Sequence, residues 1–542
     1  MAQSKTAPTT ETVTLTIDDK PVTVPKGLTV LQACERAGSP VPFYCYHPGL
    51  SIAGNCRICL VEIEGSPKLQ IACNTPTADG MKVSTTSDKT LEGRRAVLEF
   101  LLINHPLDCP VCDQAGECWL QDYYMEHGLY DPKMNEDKIK KPKAVPIGPT
   151  VMLDAERCIL CSRCVRFTDE ITKTGEFGIF NRGDRAEVGV LPGRVLDNKY
   201  AGNVVDICPV GALTDRDFRF KCRVWYLGAA KSVCPGCSRG CAIEIHYNRE
   251  RDWRKHIAAG ARVMRLKPRH NPYVNQWWMC DEGRYGYTGI DTGRLSTPQL
   301  ARAGALAPAT WDEALERLSG ALRALKDAGS LDQAGVVLSS QLTNEDLYAA
   351  KRLFGELGLR KLVFQRPPAG SGDEFLIRPD KSPNARGAQA MGLVEGAQAL
   401  FEDARAKRLR VLIVFTQDLA VVVGEAALKE LAGALELLAY VGTNDTPTAR
   451  AAHLVLPSAV YAEKDGTFTN ADGRVQRIEA AFACAGESRP EREILGALAE
   501  ALGLAKVEPE AQAVFAELVR REPAFRGLSW AALGEHGAML AA

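Results

Sequence analysis

The 542-residue sequence has no excess of basic charge: 66 Lys and Arg stand against 67 Asp and Glu, a formal net charge of -1. Binding to a phosphate backbone draws on such an excess, so nucleic acid is not an expected partner. No run approaches the roughly 18 to 20 apolar residues of a membrane span. The opening MAQSKTAPTT has no apolar core of the kind a secretory signal needs, so the chain is expected to stay in the cytoplasm. No G-x-G-x-x-G follows a strand-like run and no flavin motif is present, which leaves no site for NADH on this chain.

What the sequence does have is 18 cysteines in an otherwise ordinary composition of 46% hydrophobic and 25% charged residues, enough to build several cores. At roughly 150 residues per domain, three or four domains are expected. A reducing compartment disfavours disulfides, so the cysteines point to metal ligation or redox chemistry. All but Cys484 fall before residue 281, whereas the Ala/Leu-rich chain from about Gly293 alternates strand-like and helix-like runs.

Residues 12 to 38 read as a hairpin, turning at Asp18, Asp19 and Lys20, followed by a helix that Thr29 opens and Gly38 closes. Cys34 lies on the apolar side of that helix and reads as a buried structural thiol. Cys45-x10-Cys56-x2-Cys59-x13-Cys73 follows on a Gly-containing loop and a later strand. Four thiolates so placed can enclose a binuclear iron-sulfur unit, with a zinc knot as the alternative.

The segment SDKTLEGRRAVLEFLLINH reads as a buried helix carrying Leu91, Leu98, Leu101 and Leu102 on one face and stopped by Pro106. It delivers His105-x3-Cys109-x2-Cys112-x5-Cys118, either a cubane site with one imidazole ligand or a Cys3His zinc site. After the charged connector 136 to 146 comes Cys158-x2-Cys161-x2-Cys164, the opening of a bacterial ferredoxin run. Thr168 stands where a nearby fourth cysteine is expected, and Cys208-Pro209 supplies it after an insertion. The last set is Cys234-x2-Cys237-x3-Cys241 with Cys280, where zinc is again a rival. Cys222 and Cys484 read as ordinary packing thiols. Four groups of four need sixteen ligands, and fifteen cysteines plus His105 provide them. One binuclear and three cubane clusters would hold about fourteen irons, which suits electron transfer.

Three stretches, FYCYHPGLSIAGNCRICLVEIEG, NHPLDCPVCDQAGECWLQD and DAERCILCSRCVRF with DICPVGALT, resemble in order the large iron-sulfur (G) subunits of bacterial NADH-quinone oxidoreductase (respiratory complex I). VCPGCSRGC with WWMCDEGRYGY resembles an extra cubane of some bacterial members, and HLVLPSAVYAEKDGTFTNADGRVQRIE is similar to molybdopterin oxidoreductases. The resemblance runs from about residue 12 to 484 and implies an α+β and α/β multidomain chain. Its expected parts are a disordered tail (1-10), a 2Fe-2S ferredoxin-like β-grasp domain (11-88) and a His/Cys3 4Fe-4S segment (89-135). A 4Fe-4S ferredoxin-like module (136-225), an additional 4Fe-4S module (226-292) and a degenerate molybdopterin-oxidoreductase-like domain (293-542) complete it.

The resemblance further implies one 2Fe-2S cluster on Cys45, Cys56, Cys59 and Cys73. It implies 4Fe-4S clusters on His105, Cys109, Cys112 and Cys118, on Cys158, Cys161, Cys164 and Cys208, and on Cys234, Cys237, Cys241 and Cys280. No molybdopterin is expected, because the last part is short for a full set of lobes. The implied partners are a flavin- and NADH-binding subunit and other hydrophilic iron-sulfur subunits, with the membrane arm reached only indirectly on the cytoplasmic side of the inner membrane. The implied role is a relay of single electrons from flavin towards quinone, without a complete active site on this chain. The alternative is the iron-sulfur subunit of an NAD-linked formate dehydrogenase or a hydrogenase.

Overall fold

The computed structural model describes residues 11-128, 133-249 and 261-541; the tail assigned to residues 1-10 lies outside the described residues. The chain forms two compact units, residues 1-225 and 226-542.

The first unit begins with the expected hairpin, β1 (Thr12–Ile17) and β2 (Lys20–Pro25), in the register Val13 to Val24 and Leu15 to Val22. Only Asp18 and Asp19 make the turn, both at positive φ (45° and 63°), and Lys20 already belongs to β2. A two-residue turn with both residues left-handed matches the twist of the strands it joins. Asp18 tolerates that backbone because its carboxylate accepts from the Thr85 amide and hydroxyl, both at 2.7 Å.

Thr29 caps α1 (Val30–Arg36) in a reciprocal box with Gln32, and Gly38 lies beyond its end at φ 72°. Strands β3 (Leu60–Ile63), β4 (Gln70–Ile71) and β5 (Lys82–Ser84) complete a five-stranded mixed sheet in the order β2-β1-β5-β3-β4. Leu15, Ile17 and Val61 of the sheet and Val30 and Cys34 of α1 form one core. Each large aliphatic side chain there contributes about 1.5–3 kcal/mol by leaving water. Burial also pushes the Cys34 thiol up to about 12, so it is inert.

Helix α2 (Asp88–Leu102) follows. It is half-buried rather than buried: Leu98 is 1% exposed, whereas Leu91, Leu101 and Leu102 are only partly covered and Phe100 is 77% exposed. Its last residue is Leu102, and three further residues turn before Pro106. Helix α3 (Trp119–His127) packs against it. The rest of the unit is built on β6 (Val145–Pro146), β7 (Val151–Leu153), the four-residue α4 (Arg163–Arg166), the β8–β9 hairpin (Phe177–Phe180 and Glu187–Val190), α5 (Asn203–Ile207) and β10 (Leu213–Asp215).

The second unit opens with the antiparallel sheet β11 (Leu227–Val233), β12 (Ala242–Asn248) and β13 (Val263–Pro268), and with α6 (Asp281–Tyr285). After it come β14 (Gln299–Arg302), β15 (Ala305–Pro308), α7 (Trp311–Asp327), β16 (Ala334–Ser339), α8 (Asn344–Leu357), β17 (Leu362–Gln365) and β18 (Val394–Glu395). With β19 (Val411–Phe415), β20 (Leu437–Gly442) and β21 (Leu454–Pro457) the strands form an eight-stranded sheet in the order β15-β14-β21-β20-β19-β16-β17-β18.

Strands β16 to β21 run parallel, and the apolar runs AGVVLSS and LRVLIVF supply β16 and β19. Both faces are covered: Val336, Leu338 and Ile413 point into one core, Val337, Leu412 and Val414 into the other. That is why these strands read as continuous apolar runs rather than alternating ones. The chain winds outward from β16 in one direction and from β19 in the other, so the order reverses between these two neighbours.

Candidate functional site

Each cysteine group comes together in space. Cys45, Cys59 and Cys73 are buried and Cys56 is half-buried. The Cys45 sulfur lies within hydrogen-bonding reach of those of Cys56 and Cys73, and the Cys59 sulfur of Cys73. Hydrogen bonds from Cys56 and Cys73 hold the Cys45 thiol low, while the same sharing drives Cys73 up. The loop is shaped by Gly54 and by Arg57, a non-glycine residue at φ 61°, and by the Cys45 amide donating to the Cys56 sulfur at 3.4 Å.

His105, Cys109, Cys112 and Cys118 line one cavity together with Asp108, Arg157 and Gly211. The turn after α2 presents His105, and Cys118 starts α3. Burial, with Arg157 and Lys138 adding repulsion, pushes the imidazole down to about 4, so it is neutral at physiological pH. A neutral imidazole is the form that ligates a metal.

Cys158, Cys161, Cys164 and Cys208 line another cavity, with Arg163, Val210 and Ala212. Leu160 and Ser162 both adopt positive φ, 54° and 61°, and this tight coil lets sulfurs three residues apart face one space. Two left-handed non-glycine residues in one short loop cost about 1–3 kcal/mol each, strain of the kind that gathers at functional sites. Burial raises the Cys158 thiol to about 12 and the Cys161 thiol to about 11. A bound cation inverts that preference, because a coordinated thiol loses its proton outright.

These three groups share one interior. Tyr44, Cys45, Ile58, Leu98, Leu120, Ile159, Cys161 and Val210 form a single buried cluster, against which Cys56, Cys118, Cys158 and Cys208 pack. The turn Cys208–Ala212 serves two cavities at once: Cys208, Val210 and Ala212 face one, and Gly211 faces the His105 cavity. A Cβ on Gly211 would lie 2.3 Å from the Cys112 sulfur, so only glycine lets this turn lie against that ligand set.

In the second unit, the tip of the β11–β12 hairpin carries Cys234, Cys237 and Cys241, closed by the Cys234 amide donating to the Cys241 carbonyl at 2.8 Å. Cys280 caps α6, its sulfur accepting from the Gly283 amide at 3.3 Å, and all four cysteines line one cavity. A Cβ on Gly283 would lie 2.9 Å from the Cys234 sulfur. Burial raises Cys234 to about 12 and Cys280 to about 11.

The donor sets test the fit to iron-sulfur clusters: each group offers four sulfurs, or three sulfurs and an imidazole, the number of ligands such a cluster takes. The buried Arg163 Nε beside the Cys158 cavity has no hydrogen-bond partner, a donor of the kind that cluster sulfurs accept from. The residues fit.

The molybdopterin-like part differs. In sheets of this kind ligands sit where the strand order reverses, at the carboxyl ends. Here Thr343 and Asp346, which follow β16, and Thr416, which follows β19, join an ion network with Lys464 and Glu491 from beyond β21. The buried Lys464 ammonium lies 2.8 Å from Asp346 and also bonds Glu491, and Thr343 and Thr416 donate to the same carboxylates. These buried charges are thus paired with one another. Cys484 is half-buried at the edge of an open surface cavity, with burial raising its thiol to about 11.

Sequence reasoning missed Arg163, Arg166, Arg157 and Gly211. The signal for the first two was in plain view: two arginines inside the ligand run CSRCVR, in a segment that has to be buried.

The fold and the sites define the chain as an iron-sulfur protein with 2Fe-2S and 4Fe-4S ferredoxin-like modules joined to a molybdopterin-oxidoreductase-type α/β domain. Family models match as a 2Fe-2S iron-sulfur cluster binding domain over 10-88, and as the NADH-ubiquinone oxidoreductase-G iron-sulfur binding region over 94-133. Two more match as the NADH-quinone oxidoreductase subunit 3 ferredoxin-like domain over 148-214, and as molybdopterin oxidoreductase over 294-370 and 384-501. The NADH-ubiquinone oxidoreductase 78 kDa subunit of Neurospora crassa is 41% identical over 370 residues, 68% of this chain and 48% of that protein. The NADH-quinone oxidoreductase G subunit of Streptomyces coelicolor is 41% identical over 63% of this chain and 39% of that protein. An NAD+-reducing [NiFe]-hydrogenase structure is 32% identical over 39% of this chain and 91% of that one, with a TM-score of 0.36, too low to mark a shared overall fold.

Over the shared region the chain belongs to the family of the large iron-sulfur (G) subunit of NADH-quinone oxidoreductase. It spans about half the length, or less, of these curated relatives. Among the described residues no helix is long and apolar enough to cross a membrane.

Proposed function

We propose that the chain is an electron-transferring iron-sulfur subunit of an NADH:quinone oxidoreductase. Cys45, Cys56, Cys59 and Cys73 would hold a 2Fe-2S cluster, and the groups of His105, of Cys158 and of Cys234 would each hold a 4Fe-4S cluster. Clusters bound there would take up and release one electron at a time, in the order Cys45 group, Cys158 group, His105 group. The partners in this reading are a flavin- and NADH-binding subunit on one side and further hydrophilic iron-sulfur subunits on the other, on the cytoplasmic face of the membrane. The mutual pairing of the buried Lys464, Asp346 and Glu491 supports a molybdopterin-free second unit.

The observation that carries the reading is the single apolar interior shared by three ligand groups. Such packing excludes water, fixes the sulfurs and lowers the reorganisation that charge movement requires. Burial suits the last step of the proposed order: the sulfurs of the Cys158 group are enclosed, while Cys109 of the His105 group is exposed. Replacing Cys56 by Ser in the assembled complex tests it. The binuclear paramagnetic signal and NADH-to-quinone transfer should be lost, while NADH oxidation by an artificial acceptor at the flavin persists. Undiminished quinone reduction without that signal would refute the relay.

A further inference from the structure

Arg163 is 2% exposed, next to Cys164, and bears a charge that proteins rarely bury without a partner. Its guanidinium reaches in two directions. One terminal nitrogen donates to the Ile207 carbonyl at 3.0 Å, beside Cys208, and the other to the Tyr46 carbonyl, beside Cys45. The group also stacks over Trp119, 4.7 Å from the ring centroid. No carboxylate is among these contacts. Burial is the largest influence on its charge; the Cys161, Cys208 and Cys45 sulfurs would offset it once deprotonated, and Arg166 opposes it. Its Nε has no partner and the side chain lines the Cys158 cavity.

A buried cation with no carboxylate partner is costly unless negative charge is supplied to it. Two thiolate-ligated clusters would supply that charge, one on each side. Arg166 differs. It sits further out, with Nε on the Ser162 hydroxyl at 3.2 Å and its terminal nitrogens on the Cys45, Cys161 and Ser51 carbonyls, so it ties loops together.

We propose that Arg163 is a positioning residue that sets the reduction potentials of both the Cys45 and the Cys158 centres, its one positive charge easing the arrival of an electron at either. The proposal rests on the reading that both cysteine groups hold clusters. A single shared cation would raise the two potentials together and keep them matched, where separate charges would tune each centre alone. Arg rather than Lys suits the position, because a planar fork can span two carbonyls while still presenting a third N–H.

The test is a paramagnetic-resonance redox titration of the full chain, prepared anaerobically, comparing the parent with Arg163→Gln and Arg163→Lys. In R163Q both midpoints should fall by at least the equivalent of tenfold in the reduction equilibrium, about 59 mV for one electron. R163K, which restores the charge, should recover most of the fall. Intact clusters with unmoved midpoints in R163Q overturn the proposal, as does a fall at one centre only. Should neither variant load both clusters, pulsed resonance on the parent labelled with 15N-arginine decides. Coupling of an arginine nitrogen to the reduced Cys158 centre is expected, and its absence overturns the assignment. A chain that carries zinc and no iron would defeat the underlying reading instead, and metal content distinguishes that failure from the others.

Discussion

Gly211→Ala is the smallest change that separates a ligand cavity from the fold around it. Gly211 is not at positive φ, so alanine is allowed on the backbone and the obstacle is purely steric. The new methyl would lie 2.3 Å from the Cys112 sulfur and 3.1 Å from Gln114 Cβ, against an ordinary contact of about 3.5–4.0 Å. The sulfur or the turn has to move by more than about 1 Å, several times the roughly 0.2 Å tolerance of a metal-ligand distance. Overpacking of this size costs about 1–3 kcal/mol, too little to unfold the first unit. The expected result is a folded chain in which iron falls from about fourteen to about ten atoms and the His105 centre's signal is lost, while the other centres remain. Iron analysis and low-temperature paramagnetic resonance on the anaerobically purified chain read both. A variant with full iron and an unaltered spectrum would refute the geometry from which the prediction is built.

His105→Cys should keep a cubane there and lower its midpoint, because a thiolate replaces a neutral imidazole and adds one negative charge; an unchanged midpoint in a redox titration rejects His105 as a ligand. Cys237→Ala should remove the centre in the second unit and weaken assembly while sparing most NADH-to-quinone transfer, and full assembly without transfer would put that centre on the path. Lys464→Met leaves Glu491 buried without its cation and Asp346 with only the more distant Arg492 at 3.9 Å, at a cost of about 3–5 kcal/mol, read as a fall in the thermal unfolding midpoint of the second unit; an unmoved midpoint contradicts the network. Gly355→Ala, in the last turn of α8 with nothing within 4 Å of the added methyl, should instead stabilise by about 0.4–1 kcal/mol in the same assay.

The parts of the fold that could be read in the sequence are those whose signal is local. Thr29 and Gln32 announce a capped helix, Asp18-Asp19 a tight turn, and AGVVLSS and LRVLIVF strands covered on both faces. Apolar spacing overstates the burial of helix α2, because Leu101 and Leu102 recur at helical intervals but face partly outward near its end. The cysteine spacings likewise group the ligands, since C-x2-C constrains geometry over a few residues. The features between groups are invisible for the opposite reason. Gly211 meets Cys112, and Arg163 meets Tyr46, across about 100 residues of sequence, and no periodicity records such a contact. The buried ion network of the second unit depends in the same way on Lys464 meeting Asp346 and Glu491 from separate elements.

The central claim is that these cavities hold iron-sulfur clusters, and metal content of the pure, anaerobically prepared chain tests it most directly. The account predicts iron and acid-labile sulfide each near fourteen per polypeptide, with essentially no molybdenum or tungsten. About four zinc atoms without sulfide would contradict it.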